Sequence, residues 1–165
     1  MEIKLCKEFE MDKIMQIYDE ARNFMRQTGN MHQWINGYPS KDLILDDIKD
    51  NRFYGVYDND KLVAVFMLSI GIDPTYIKIY NGTWLNDEEY AVIHRIAILE
   101  RGKGIAKLCF DYALTKCNNL RIDTSEENLV MQNCLLKNGF TYCGVIYLES
   151  GDPRLAYQKT IKNKK

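Results

Sequence analysis

No apolar run in this 165-residue chain approaches the roughly 20 residues that a membrane-spanning helix requires. Neither sign of charge is in excess: 22 Lys and Arg stand against 23 Asp and Glu, for a net charge of -1. Without a basic field there is nothing to hold a polyanion, which argues against nucleic acid as a partner. Histidine is scarce, with two residues, and the five cysteines form an odd set with no CxxC pair. That argues against both a disulfide framework and a zinc site, so reduced, mostly buried thiols and no metal are expected. There is no internal repeat, low-complexity tract or Gly/Ser/Pro-rich linker to divide the chain, and one domain spanning 1–165 is expected. The opening MEIKLCKEFEMDK is charged where a signal peptide would be apolar, which leads to an expected cytoplasmic location.

What is present is a globular composition, 46% hydrophobic and 27% charged. EIKLC alternates like a strand, and the next segment spaces Ile14, Ile17, Tyr18, Ala21, Phe24 and Met25 at helical intervals before Gly29. Ser40 is placed to cap a second helix, KDLILDDIKD, with Leu43, Ile44 and Ile48 on one face. Its Asp46, Asp47 and Asp50 read as a solvated face. Two β-runs then meet at Asp58-Asn59-Asp60, a hairpin signal. Residues 71–89, broken by Pro74 and Gly82, sustain neither period and read as loop. YAVIHRIAI is the most strand-like run, followed by a helix over GIAKLCFDYALTKC and a short strand LRID. Thr124 and Glu127 form a candidate capping box for a helix ENLVMQNCLLKN ending at Gly139, and two strands close the chain. The expectation is one mixed α/β sheet flanked by helices.

Between the strand and helix lies RGKGIA. Gly102 and Gly104 can turn successive amides toward one point at the helix start, while Arg101 and Lys103 add full positive charge. Such a nest suits a di- or triphosphate group. It lacks the spacing of a nucleotide P-loop and of a dinucleotide-binding Gly-x-Gly-x-x-Gly, so a nucleotide binder ranks last.

Arg-x-x-Gly-x-Ala directly after a strand ending Ile-Ala-Ile resembles the phosphate loop of the GNAT N-acetyltransferase family. LRIDTSEEN, MQNCLLKNGF and the closing RLAYQK follow in the family's order, so the resemblance covers essentially the whole chain. It implies a mainly antiparallel acyl-CoA N-acyltransferase fold. It further implies acetyl-CoA as cosubstrate, with its pyrophosphate on Arg101, Gly102, Lys103, Gly104, Ile105 and Ala106. Ile96, Ala97 and Ile98 would pair with the pantetheine arm as an added strand would, and Asn128 would make a polar contact. One departure is that only two residues separate Ile98 from Arg101, fewer than relatives commonly have.

In this family a neutral amine attacks the thioester directly. A lysine-type amine is only about one part in a thousand neutral at pH 7, so a base matters. His94, on the strand beside the implied thioester, is the candidate base. Many members place an acid tyrosine four residues before the Gly-Phe pair, and here that position is Leu135. Tyr142 and Tyr147 are weaker candidates for the acid, and each also reads as a packed strand aromatic. Gln33, Trp34, Tyr38 and Trp84 are candidates to line the acceptor pocket. The implied activity is acetyl transfer to a primary amine of a small molecule or peptide. The competing reading is a catalytically silent acetyl-CoA sensor or interaction domain, which Leu135 permits. Relatives often pair, which makes a homodimer an expectation.

Overall fold

The computed structural model describes residues 1–162. In chain order these form β1 (Glu2–Leu5), α1 (Met11–Gln27), α2 (Lys41–Lys49), β2 (Phe53–Asp58), β3 (Lys61–Ile70), β4 (Ala91–Ile98), α3 (Ile105–Lys116), β5 (Asn119–Thr124), α4 (Leu129–Lys137), β6 (Thr141–Tyr147) and β7 (Pro153–Thr160). The strands make one sheet in the order β1-β2-β3-β4-β5-β7-β6, antiparallel at every junction except β4–β5. The fold is therefore mixed α/β, as expected.

β3 shows why its sequence is nearly all apolar. Ala64, Phe66 and Leu68 pack in the core under α3, whereas Val65 and Met67 pack in the core under α1 and α2. A strand covered on both faces needs no polar alternation. α1 supplies Ile14, Ile17 and Tyr18 to its core, the i, i+3, i+4 spacing of a buried stripe. Ser40 caps α2 by accepting from the Leu43 amide at 3.2 Å. The β2–β3 turn places both Asn59 and Asp60 at positive φ, the twist a two-residue hairpin requires.

Two readings need amendment. Thr124 ends β5 and makes no capping box, because α4 begins only at Leu129. Asn128 is the cap instead, its Oδ1 accepting from the Met131 amide at 3.0 Å, while Glu127 turns outward to His32. Asp47 is not solvated but fully buried, three residues on from Ile44 and so on the same helix face. Residues 71–89 are a loop with one 3-10 turn at Pro74–Tyr76 and a single bridge, Tyr80 to Val145, at the β6 edge.

Candidate active site

β4 and β5 stay paired only at Ala91–Leu120 and Val92–Arg121, and beyond that point they part. A cleft of about 500 Å³ opens where they separate, walled by His94, Arg95 and Ile96 on one side and Ile122, Asp123 and Thr124 on the other. Gln33, Trp34 and Tyr38 also line it, together with Asp152 and Arg154 from the β6–β7 end.

The β4 wall carries a bulge. Val65 faces Ala97 and Met67 faces His94, so Arg95 and Ile96 together oppose Phe66. Arg95 has φ of 56°, a left-handed conformation uncommon for a residue with a side chain. It is held on both sides of its backbone. The Tyr18 hydroxyl, fully buried, donates to the Arg95 carbonyl at 2.6 Å, and the guanidinium donates to Asp47 Oδ2 from Nε at 3.0 Å and pairs with it from Nη2 at 2.8 Å. Asp47 also accepts from Arg52 Nε at 2.9 Å, so its buried charge is matched.

His94 stands in a carboxylate cluster. Its Nε2 lies 2.7 Å from Asp73 Oδ2, and its Nδ1 lies 3.9 Å from Asp123 Oδ2. Burial opposes the charge on Asp73, but hydrogen bonds from His94 and Thr75 outweigh it and hold the carboxyl down to about 2. An ionised carboxylate only accepts, so Nε2 carries a proton, and in the neutral ring the lone pair is on Nδ1. Asp123 Oδ2 accepts from the Tyr76 hydroxyl at 2.6 Å. Burial drives that phenol far above its ordinary range, which keeps it a neutral donor.

Loop 30–38 roofs the cleft. Arg26 brackets it through the carbonyls of Asn30, Gln33 and Trp34, at 2.8–3.0 Å. Gln33 Oε1 accepts from both Asn30 Nδ2 and Asn128 Nδ2, at 2.8 and 3.0 Å. Asn128 is thereby committed to two contacts, the cap of α4 and the tie to Gln33.

Below the roof a second cavity of about 90 Å³, which shares Met25, Ile96, Asn128 and Met131 with the cleft, reaches Ala97, Ile98, Arg101, Ala106 and Cys134. Gly104 caps α3 in a left-handed conformation, φ 70°, and, having no side chain, it leaves the first-turn amides without a side-chain acceptor. Gly102 has φ 76°, and open space lies beside both glycines. Arg101 stacks on Phe24 at 3.0 Å and Lys103 pairs with Glu100 at 2.8 Å, so both cations stand at this loop. Amides, helix terminus and cations together fit a multiply charged phosphate.

The remaining sequence candidates lie elsewhere. Trp84 donates from Nε1 to the Tyr76 carbonyl and carries the Arg121 guanidinium on its face, outside the cleft lining. Tyr142 packs on Tyr157, and Tyr147 on Tyr80, both on β6 and outside the lining. Leu135 is fully buried in the core beneath α4. Asp73, Asp123, Arg95 and Arg154 are the site residues that sequence reasoning missed. An Asp-Pro-Thr turn and charged residues within strands were their only local signals. Among the described residues no cluster of His, Cys, Asp or Glu is arranged to hold a metal, and no helix is long and apolar enough to cross a membrane.

A family model, the acetyltransferase (GNAT) family, matches residues 11–140. The chain belongs to that family. A GNAT-family acetyltransferase from Streptococcus agalactiae 2603 is 35% identical, superposes with a TM-score of 0.88, and is covered over 96% of its length by 98% of this chain. A Staphylococcus aureus Mu50 protein assigned as an acetyltransferase shares the fold at 24% identity and TM-score 0.71, over 98% of this chain and 100% of that one. So does a chain of the NatC complex bound to Gag peptide and CoA, at 16% identity and TM-score 0.65, over 98% of this chain and 100% of its own. No curated protein matches the chain by sequence.

Proposed function

We propose that the protein, one domain over 1–165, transfers the acetyl group of acetyl-CoA to a primary amine by direct attack. The observation that carries this reading is His94, aligned by Asp73 at 2.7 Å on the cleft wall where β4 and β5 part. Acetyl-CoA enters along the smaller cavity. Its pyrophosphate meets Arg101, Gly102, Lys103, Gly104, Ile105 and Ala106, and its pantetheine runs beside Ile96, Ala97 and Ile98, near Asn128. The NatC neighbour, bound to CoA, supports that ligand class.

The acceptor's ammonium approaches between His94 Nδ1 and Asp123, under Gln33, Trp34 and Tyr38. His94 takes one proton, the nitrogen lone pair forms the N–C bond, the C–S bond breaks, and the second proton of the nitrogen passes to the departing thiolate, leaving the neutral amide and the CoA thiol. A thiol with an ordinary pKa near 8.5 leaves tolerably without a strong acid, so neither Tyr142 nor Tyr147 is required. The second reading, a silent acetyl-CoA binder, draws on the burial of Leu135, which leaves α4 with no acid at the position many members use.

Calorimetric titration with acetyl-CoA, followed by free-thiol release in the presence of small amines, tests the proposal. Binding with turnover supports transfer, binding without turnover of any amine supports the silent reading, and no binding by folded protein removes both.

A further inference from the structure

Among the described residues, each charged side chain lining the cleft meets another side chain, an opposite charge or a hydroxyl, with one exception. Arg95 is paired with Asp47, Asp73 with His94, and His32 with Glu127 at 2.7 Å. Asp123 accepts from Tyr76, and Asp152, exposed at the rim, accepts from the Ser150 hydroxyl at 3.1 Å. Arg154 donates only to the carbonyl of its own neighbour, Pro153, at 2.9 Å, and has no carboxylate within ion-pair distance among the described residues.

Its place on the sheet is defined by register. Asp123 pairs with Ala156, so Arg154, two residues back on β7, shares Asp123's face and is its diagonal neighbour. Leu155 belongs to the opposite face, in the core under α3 and α4, which leaves Arg154 to line the cleft. Such diagonal positions are about 7–8 Å apart. The amine end of the cleft, at His94 and Asp123, thus shares its lining with an arginine that has no ion-pair partner among the described residues and is the diagonal sheet neighbour of Asp123.

We propose that the acceptor is a small zwitterion, a primary amine carrying a carboxylate or phosphate a few bonds away, and that Arg154 binds the anionic group. This rests on reading the cleft as the acceptor site. A planar guanidinium offers two parallel donors to either anion, which suits it to reading the far end of a substrate whose near end is an ammonium. It would act on specificity, since its contact is the same before and during acetyl transfer.

The test compares β-alanine with β-alaninamide, and phosphoethanolamine with ethanolamine, by free-thiol release. Wild type should favour each anionic member by roughly tenfold or more in kcat/KM, mainly through KM. Arg154→Gln should bring the ratios to within about threefold, and Arg154→Lys should retain part of them. Equal use of the neutral partners, better use of 1,4-diaminobutane, or ratios that survive in Arg154→Gln would overturn the proposal. Ligand-observed NMR of the same compounds separates it from the transfer reading. Binding of β-alanine and not its amide, lost in Arg154→Gln, with no thiol released from any amine, retains the anion site and removes the transferase. Neither binding nor turnover of the anionic compounds removes the anion site.

Discussion

His94 Nε2 lies 2.7 Å from Asp73 Oδ2 across 21 residues of chain. The contact places a proton on Nε2, because an ionised carboxylate can only accept, so in the neutral ring the lone pair is on Nδ1. His94→Gln should lower kcat by about 10²–10⁴-fold, the range for losing a general base, with acetyl-CoA affinity unchanged by calorimetry. Asp73→Asn should lower kcat by a smaller factor, about tenfold, since an amide can still contact Nε2 but no longer dictates its tautomer. Unaltered turnover in His94→Gln would remove the base.

Asp73 also predicts an acid-sensitive share of stability. Its carboxyl is lowered from an ordinary 3.8 to about 2, so the folded state favours the ionised form. The contribution is present above pH 4 and is lost as pH falls toward 2. The Tm advantage of wild type over Asp73→Asn should therefore shrink across that window, as followed by circular dichroism. A constant difference would contradict the assignment.

Removing the guanidinium that anchors the β4 bulge should be costly. Arg95→Ala leaves the buried Asp47 with Arg52 as its only cation among the described residues. Breaking a buried pair costs about 3 kcal/mol or more, which for a chain of this size lowers Tm by about 6–12 °C. Tyr18→Phe, which strands the Arg95 carbonyl, should cost about 1–3 kcal/mol.

At the phosphate loop, space and conformation make separate predictions. Gly104→Ala meets no clash but is held at positive φ, so strain of about 1–2 kcal/mol is expected. Arg101→Ala/Lys103→Ala should weaken acetyl-CoA binding by tenfold or more, roughly the loss of one charge-assisted contact, and binding should become less salt-dependent. Calorimetry at two ionic strengths reads both effects.

Leu135→Tyr tests whether α4 can be given an acid. Leu135 is fully buried against the sheet, so a tyrosine there overpacks the core at a cost of about 1–3 kcal/mol. Lower Tm without any gain in kcat is the expected outcome. A faster variant would show that the helix can present a phenol to the thiolate after all.

Much of the fold was legible because its signals are local. The order of strands and helices followed from hydrophobic period, the β2–β3 turn from Asn59-Asp60, and the α2 start from Ser40. The errors came where local rules compete. Thr124-x-x-Glu127 has the spacing of a capping box, but β5 runs through Thr124 and Asn128 makes the better-placed cap. Asp47 looked solvated by residue type although its spacing from Ile44 put it on the buried face.

The sequence by itself determined the loop proposed to hold phosphate, because RGKGIA is contiguous and its glycines and cations act through backbone conformation and a helix terminus next to them. It also marked His94, a lone histidine in an apolar strand. Only the tertiary structure decided what surrounds that histidine. Asp73 comes from a loop, Asp123 from β5 and Arg154 from β7, and they line one cleft with it because β4 and β5 part after two paired residues. Charge complementarity across a cleft depends on distance in space, and nothing in the local order of residues encodes which strands separate there.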